Sequence, residues 1–156
     1  MLFDSHCHLD TDAFDGLAGV DAAVERAREA GVGRMLAIGS GYGFESAQRA
    51  VAVAERHPDV WASVGVHPHD ASVWSESGFT TLDRLAQHPR VIAIGEMGLD
   101  FHYDNSPRDR QREVFRAQIR WAKRVSKPII IHDRDTDGET LAVLDDEAAW
   151  DGRGVV

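Results

Sequence analysis

Short apolar segments alternate with amphipathic segments along the chain, and this alternation restricts the possible folds more than any other feature. The apolar segments, which we predict to be β-strands, lie at residues 1–3, 34–38, 60–64, 91–94 and 129–131. Short, continuously apolar strands are typical of parallel sheets buried on both faces, and strands that alternate with helices form such sheets. The pattern therefore predicts an α/β fold with a parallel sheet covered by helices.

The segments that follow the predicted strands have helical periodicity, and they lie at residues 21–30, 44–55, 79–87, 108–125 and 138–147. In the longest of them Phe115, Ile119 and Ala122 recur at three- and four-residue spacing, which predicts a helix with one apolar stripe. No G-x-G-x-x-G or P-loop motif follows the first strand, so a doubly wound nucleotide-binding sheet is disfavoured.

We expect an incomplete (β/α) barrel of the TIM type, with about five βα units and the start of a sixth strand at residues 154–156. A closed barrel of this type needs eight strands and about 250 residues, whereas the chain has 156. Residues 1–156 are therefore expected to form a single domain that is truncated before the last strands. Its inward residues, Leu2, Asp4, Leu36, Ile94 and Ile130 or their register mates, would face a void or water. The open sheet edge would favour self-association.

Composition restricts the environment and the partners. The formal net charge of −9 gives no general attraction to nucleic acid, so any such binding needs local charge and bound metal. The basic residues of the longest helix recur at helical spacing and are predicted to form a solvated outer face: Arg112, Arg116, Arg120 and Lys123. A single cysteine, no apolar run near the ~20 residues of a membrane span, and no signal-peptide pattern at the N-terminus predict a cytoplasmic protein.

The segment DSHCHLD at residues 4–10 follows the first predicted strand and contains two histidines one residue apart. Alternate side chains of a strand share a face, so His6 and His8 are expected to point the same way, with Cys7 on the opposite face. Two imidazoles on one rigid edge can bind the same divalent metal ion. The alternative is that both are ordinary polar residues at a strand end.

Glu96 and His132 follow the fourth and fifth predicted strands. The carboxyl ends of parallel strands meet at one edge of the sheet, so these side chains are expected to converge with His6 and His8. A carboxylate at Glu96 can bridge two cations, as in two-metal hydrolases. Together the four residues form a ligand set suited to Zn, Mn, Co or Mg-assisted chemistry, although each alone could be a capping or core-edge residue.

Two further residues are candidates for contact with a substrate. Arg134 lies two residues beyond His132, and its guanidinium could hold a phosphate through two hydrogen bonds or could pair with a nearby aspartate. His67 and His69 flank Pro68 after the third predicted strand, and they could contact substrate or orient the metal ligands.

Four motifs at predicted strand ends together resemble the TatD family of metal-dependent deoxyribonucleases: DSHCHLD at residues 4–10, GVHPH at 65–69, GEMGLD at 95–100 and IHDRD at 131–135. The resemblance spans the chain and implies an amidohydrolase-like TIM barrel with two divalent metal ions. It implies hydrolysis of DNA phosphodiester bonds, often from single-stranded or 3′ ends. His6 and His8 would hold one ion, Glu96 would bridge as the catalytic group, and His132 would hold the second. In a phosphodiesterase, our own assignment is that His67 and Arg134 position the substrate phosphate.

The family pattern continues with a metal-binding histidine after the sixth strand and an aspartate after the eighth, and neither occurs among residues 1–156. Two other functions therefore stay open: an inactive fragment, and an amidohydrolase-type enzyme acting on a cyclic amide or an aminoacyl ester. Many enzymes of the latter type bridge their metals with a modified lysine. Lys123 and Lys127 are the only lysines, and both precede the fifth predicted strand, away from the expected site.

Overall fold

The fold, taken from a computed structural model that describes residues 1–9, 13–41 and 43–154, alternates strands and helices. The elements in chain order are β1 (Leu2–Cys7), α1 (Gly16–Glu29), β2 (Val32–Ala37), α2 (Glu45–Arg56), β3 (Val60–Val64), α3 (Glu76–Ala86), β4 (Val91–Asp100), α4 (Arg108–Val125), β5 (Ile129–Arg134) and α5 (Glu139–Asp146). Two 3₁₀ helices, Pro68–Val73 and Ala149–Asp151, lie between them. No helix in these described ranges is both long and apolar enough to cross a bilayer.

The sheet has the strand order β1-β2-β3-β4-β5, and each neighbouring pair is parallel. This confirms the predicted α/β fold and an open part of a TIM-type barrel. The bounds of β3 and α4 agree with the prediction, whereas β4 continues six residues beyond Ile94 to Asp100, because the glycine-containing segment also pairs with β5. The start of the predicted sixth strand falls largely on Val155 and Val156, outside the described residues. Gly154 accepts a hydrogen bond from the Ile129 backbone N–H at 3.0 Å.

The main hydrophobic core lies between the sheet and the helices. Phe115, Ile119 and Ala122 of α4 are buried in it, as the apolar stripe predicts. Trp121 is also buried, and its indole N–H donates to Asp83 Oδ1 of α3 at 2.7 Å, which ties α4 to α3.

A smaller apolar cluster lies on the opposite face of the sheet, since it contains no helical residue: Leu36, Ile38, Ala93, Ile130 and the half-buried Trp61. The expectation that Leu36, Ile94 and Ile130 face a void or water is therefore wrong. Leu36 and Ile130 are both buried within this cluster, and Ile94 is buried in the helix-side core. Leu2 is 65% exposed and Asp4 is exposed, as expected for an edge strand. Self-association through this edge stays a prediction.

Of the basic residues of α4, Arg120 and Lys123 are exposed, as predicted, whereas Arg112 and Arg116 are half-buried. The three arginines pair with acidic residues of α5 and of the segment that follows it. Their nitrogen–oxygen distances to carboxylates there are 2.7 to 2.8 Å, in the pairs Arg112–Glu139, Arg116–Asp146 and Arg120–Glu147. The reason is charge complementarity, because α5 and the residue after it carry the acidic side chains that the α4 arginines match. These pairs leave little unpaired positive charge on this helix for a nucleic acid.

A partly buried ion pair joins Arg28 of α1 to Asp59, the residue before β3, and it makes the stability of the fold depend on pH. Arg28 donates from Nε to Asp59 Oδ2 at 2.8 Å and from a second nitrogen to Oδ1. The hydrogen bonds from Arg28 lower the pKa of the Asp59 carboxyl, despite partial burial. Because the Asp59 carboxyl has a lower pKa in the folded chain than in the unfolded chain, its ionisation stabilises the fold. This contribution is fully present above the unfolded-chain pKa of about 4, and it is lost as the pH falls through the folded-chain pKa.

We therefore expect Asp59→Asn to lower the free energy of unfolding by about 1–2 kcal/mol at pH 7, the range for a charge-assisted pair that is partly exposed. The difference from the wild-type chain should shrink below about pH 4, because the unfolded wild-type chain then takes up a proton at Asp59 more readily than the folded chain does. Urea unfolding followed by circular dichroism at several pH values measures both effects. Asp109→Asn is a matched control, since Asp109 is fully exposed and pairs within its own helix. An Asp59→Asn difference that is equal at pH 3 and pH 7 would contradict the assignment.

Candidate metal centre and substrate cavity

Glu96 lies inside β4, not just past the strand as predicted, and the strand is irregular at this point. The β4–β5 register shifts between the pairs Ile94–Ile129 and Met97–Ile131, so Gly95 and Glu96 form a local bulge. Gly95 has a φ of 131°, and a Cβ there would lie 2.5 Å from the carbonyl oxygen of Ile130. Only glycine allows this close approach of β4 to β5, and the bulge turns the Glu96 side chain toward the carboxyl ends of the strands.

His6 and His8 lie beside one oxygen of the Glu96 carboxylate. Their Nε2 atoms are 3.5 Å and 3.9 Å from Glu96 Oε2. This confirms that the two imidazoles point the same way from β1. One ligand atom from each of the three residues lies within 4.8 Å of the others, which is close enough for all three to bind one metal ion.

The other oxygen of Glu96 faces a second group of histidines. His132 Nδ1 lies 3.0 Å from Glu96 Oε1 and 3.2 Å from His67 Nε2. The ligand atoms of His67, Glu96 and His132 also lie within 4.8 Å of one another. The structure therefore brings the predicted ligands His6, His8, Glu96 and His132 together, and it adds His67, which the sequence assigns to substrate.

The charge states of these groups suit metal binding. Burial raises the pKa of the Glu96 carboxyl, but the His132 hydrogen bond and the positive potential of His67 and His6 outweigh it, so the net pKa lies below its usual value. Burial and the neighbouring His132 lower the pKa of His67 to about 4. At neutral pH the site thus offers an ionised carboxylate and a neutral imidazole, the forms in which these side chains bind metals.

Asp100, at the end of β4, holds two histidines of the site and was given no role from the sequence. His132 Nε2 donates to Asp100 Oδ2 at 3.0 Å, and His69 Nε2 donates to the same oxygen at 2.7 Å. The backbone N–H groups of His102 and Tyr103 donate to Oδ1. Burial raises the pKa of Asp100, but these hydrogen bonds outweigh it and bring the pKa to about 2. A carboxylate that holds one nitrogen of an imidazole leaves the other nitrogen oriented for a metal.

His132 is thus held between two carboxylates, and its electrostatics follow from that position. Burial lowers the pKa of His132, but the hydrogen bonds and charges of Glu96 and Asp100 outweigh it and raise the net pKa. The two carboxylates therefore favour positive charge at this ring. A divalent cation beside Nδ1 would supply that charge in place of a proton.

Two buried glutamines of α4 fix the backbone on which the site is built. Gln118 accepts a hydrogen bond from the Val66 N–H at 2.8 Å and donates to the Val66 carbonyl at 2.9 Å. Gln111 makes the same paired contact with Asp100, at 2.8 Å and 3.0 Å. Gln111 thus holds the backbone of Asp100 itself, and Gln118 holds the backbone of Val66, which directly precedes His67. In the sequence, these contacts are indicated by two glutamines that lie seven residues apart on the buried side of a predicted helix.

A cavity of about 560 Å³ opens beside the two groups at the carboxyl ends of the strands. It is lined by His8, Ser40, Gly41, His67, His69, Asp70, Asp100, Tyr103, Asn105, His132 and Arg134. The Arg134 guanidinium lies 4.8 Å from the centre of the Tyr103 ring. Within the described part of the chain Arg134 forms no ion pair, so the alternative of a salt bridge with a nearby aspartate is not found there. Its charge is available to a ligand in the cavity.

Comparison with known proteins identifies the family. The family model described as TatD related DNase matches residues 3–156. The chain belongs to the TatD related DNase family. An uncharacterized metal-dependent hydrolase, YabD of Bacillus subtilis, is 40% identical over 149 residues, which cover 96% of this chain and 57% of that protein. The 3′-5′ ssDNA/RNA exonuclease TatD of Salmonella typhimurium is 41% identical over 144 residues, covering 92% of this chain and 54% of that protein.

Solved structures of TatD proteins agree with the fold. The TatD homologue YjjV of Escherichia coli K12 superimposes with a TM-score of 0.83 and 30% identity, over 94% of this chain and 56% of that one. A TatD family hydrolase of Entamoeba histolytica gives a TM-score of 0.83 at 19% identity, over 99% of this chain and 57% of that one. This TatD family chain therefore spans about half the length of the relatives it matches, and its five strands form an open half-barrel.

Proposed function

We propose that this TatD family chain forms the metal-binding part of a two-metal phosphodiesterase that removes nucleotides from the 3′ ends of single-stranded DNA. One observation carries the proposal: the two oxygens of Glu96 face two different histidine groups, at 3.5 Å from His6 and 3.0 Å from His132. A carboxylate with this arrangement suits a bridge between two cations. The names of the relatives, which include 3′-5′ ssDNA/RNA exonucleases, support the choice of substrate.

The proposed ligands divide into two groups that share Glu96. His6 and His8 would hold one ion with Glu96, and His132 would hold the other. His67 is a candidate third ligand of the second ion, because its Nε2 lies 3.2 Å from His132 Nδ1. Its assignment to substrate phosphate stays a prediction, and metal content in His67→Ala would separate the two roles. The mixed nitrogen and oxygen ligands suit Zn or Mn, and Mg if water completes its coordination.

Divalent cations held there would polarise a scissile phosphodiester and activate a water at neutral pH. The chain's own residues have the remaining tasks. Glu96 contributes the negative charge that both groups share. Asp100 fixes His132 and His69 by accepting a hydrogen bond from each. Arg134 at the cavity wall would hold the phosphate of the substrate in a fixed position.

Hydrolysis of 5′-labelled single-stranded DNA by the full chain, with added Mg, Mn or Zn and with EDTA, tests the proposal. The expected products are labelled strands that shorten stepwise from the 3′ end and that are absent with EDTA. Glu96→Gln should slow the reaction by about 100-fold or more, since the shared charge is lost, whereas the exposed control Glu113→Gln should not. Turnover of a dihydropyrimidine or an aminoacyl ester with no DNA cleavage would instead support the amidohydrolase alternative. No turnover of any of these substrates would support the inactive fragment.

Arg134→Met tests the proposed phosphate contact separately from the metal site. Because an arginine guanidinium stays protonated, it cannot be a metal ligand. We expect the affinity for single-stranded DNA to fall by about 10-fold or more, the effect of losing one charge-assisted hydrogen-bonded contact. Bound metal should be unchanged. Fluorescence anisotropy and metal analysis measure the two quantities, with Arg124→Met on the outer face of α4 as the control. A variant that loses metal but keeps its DNA affinity would contradict this role.

A further inference from the structure

One wall of the cavity lies at the end of β2, next to β1 and across the sheet from Arg134. Ser40 follows β2 and is one of the residues that line the cavity. Ser40 is 4% exposed, and its Oγ has no hydrogen-bond partner among residues 1–9, 13–41 and 43–154. Native structures seldom leave a buried hydroxyl without a partner, because the hydrogen bonds that it loses to water are then not replaced. A polar group of a ligand in the cavity would supply the missing hydrogen bond.

The backbone directly before Ser40 is tightly packed. Gly39 packs so closely that a Cβ there would lie 2.4 Å from the Ser63 carbonyl oxygen and 2.8 Å from Ala47 Cα. Its carbonyl accepts a hydrogen bond from the Gly65 N–H at 3.1 Å. The backbone at Gly39, directly before Ser40, is therefore enclosed by β3 and α2 beside the cavity.

Asp70 adds a negative charge to the same wall. Its Oδ2 lies 4.0 Å from the Cβ position of Gly41 and accepts a hydrogen bond from the Gly43 N–H at 3.4 Å. Asp70 forms no ion pair with a basic residue in the described ranges of the chain. An uncompensated carboxylate repels a phosphate and accepts hydrogen bonds from neutral hydroxyl groups. This wall is therefore complementary to a hydroxyl group, while Arg134 on the far side is complementary to a phosphate.

The two walls are separated by the width of the site. Arg134 ends β5 and Ser40 follows β2, and two strands, β3 and β4, lie between them in the sheet. His67 follows β3 and Glu96 lies in β4, between these walls, whereas His6 and His8 belong to the β1 side of the sheet, beside β2. A ligand that reaches across the cavity would thus place a phosphate near Arg134 and the metal groups and a sugar hydroxyl near Ser40.

We propose that Ser40 and Asp70 bind the free 3′-hydroxyl of the terminal nucleotide, an inference that rests on the proposed exonuclease function. An internal nucleotide carries a phosphodiester at that oxygen. It therefore has no proton to donate to Asp70, and its charge is repelled by the carboxylate. The pair would select strand ends over internal positions and a 3′-hydroxyl over a 3′-phosphate. This selection would make the enzyme act from the 3′ end.

Binding of short 5′-fluorescein DNA strands to the full chain tests the proposal, with a phosphorothioate in the last linkage to slow cleavage. The strands differ in the last sugar: a 3′-hydroxyl, a dideoxy sugar, a 3′-phosphate, or a 3′-deoxyribose that keeps its 2′-hydroxyl. We expect the 3′-hydroxyl strand to bind about 10-fold more tightly than the dideoxy strand, the effect of one ordinary hydrogen bond. The 3′-phosphate strand should bind most weakly.

Two variants assign the preference to the named residues. Ser40→Ala should remove most of the preference for the 3′-hydroxyl without lowering the melting temperature, because it deletes a hydroxyl that has no partner in the described protein. Asp70→Asn should improve binding of the 3′-phosphate strand relative to the others. The exposed controls Ser77→Ala and Asp109→Asn should keep the wild-type order.

Wild-type protein that binds all the ends equally, or variants that keep the wild-type order, would overturn the assignment. Tight binding of the strand with the 2′-hydroxyl alone would also overturn it, since the hydroxyl recognised would be a different one. If the wild-type chain binds none of the strands, the proposed function itself fails and the inference fails with it. Binding without end selection contradicts the inference alone.

Discussion

Replacing Gln118 with leucine is expected to lower the free energy of unfolding by about 2–4 kcal/mol, because the Val66 N–H and carbonyl would both lose their partners. Val66 is 4% exposed, so water cannot replace both hydrogen bonds without opening the core. Val66 directly precedes His67, and its displacement would move that imidazole away from His132. We therefore expect weaker metal binding in addition to lower stability.

Urea unfolding and metal titration of the same preparation measure both effects of Gln118→Leu. Gln87→Leu is a matched control, since Gln87 is exposed at the end of α3, and it should change neither quantity. A Gln118→Leu protein with wild-type stability would show that the paired contact with Val66 is dispensable. A protein with lower stability but unchanged metal affinity would show that Val66 does not position His67.

His132→Ala is expected to remove one of the two metal ions and to leave the other bound to His6, His8 and Glu96. The variant also leaves Asp100 with one histidine partner, although that carboxylate is 1% exposed. Loss of a residue that orients a metal ligand typically lowers the metal affinity by about 10–100-fold, and loss of the ligand itself lowers it at least as much. The second ion should therefore be undetectable at metal concentrations that saturate the wild-type protein.

Metal analysis after equilibrium dialysis gives the stoichiometry for His132→Ala. His88→Ala is the control, because His88 precedes β4, at the opposite end of the strand from the site, and pairs with Glu55. We expect two ions per chain for the control and one for His132→Ala. Two ions bound to His132→Ala with wild-type affinity would exclude His132 as a ligand.

The sequence predicts the architecture because strand period, helix period and their alternation are local properties. The carboxyl-end rule for parallel strands then brings His6, His8, Glu96 and His132 to one edge without further information. The bulge at Gly95 was not predicted, since it depends on the close approach of β4 to β5. The sequence alone therefore predicts a shorter β4 with Glu96 just past its end.

The residues that the sequence did not reveal act through buried hydrogen bonds. Asp100 holds His132 and His69, and Gln111 and Gln118 hold backbone groups, and all of these contacts join distant parts of the chain. Periodicity marks such positions only as polar residues on a buried face. The pairing of the α4 arginines with α5 was missed for the same reason, because helix packing decides which exposed faces meet. Ser40 was missed for a related reason, because a hydroxyl without a hydrogen-bond partner can be recognised only from the contacts of the folded chain.

Glu96 is proposed to bind both cations, and metal titration of Glu96→Gln beside His6→Ala tests this role most directly. A glutamine keeps the size of the side chain but removes the charge that both groups share. We predict that Glu96→Gln weakens both metal sites, whereas His6→Ala weakens only the site that it shares with His8. A Glu96→Gln protein that retains one ion with wild-type affinity would contradict the bridging role of Glu96.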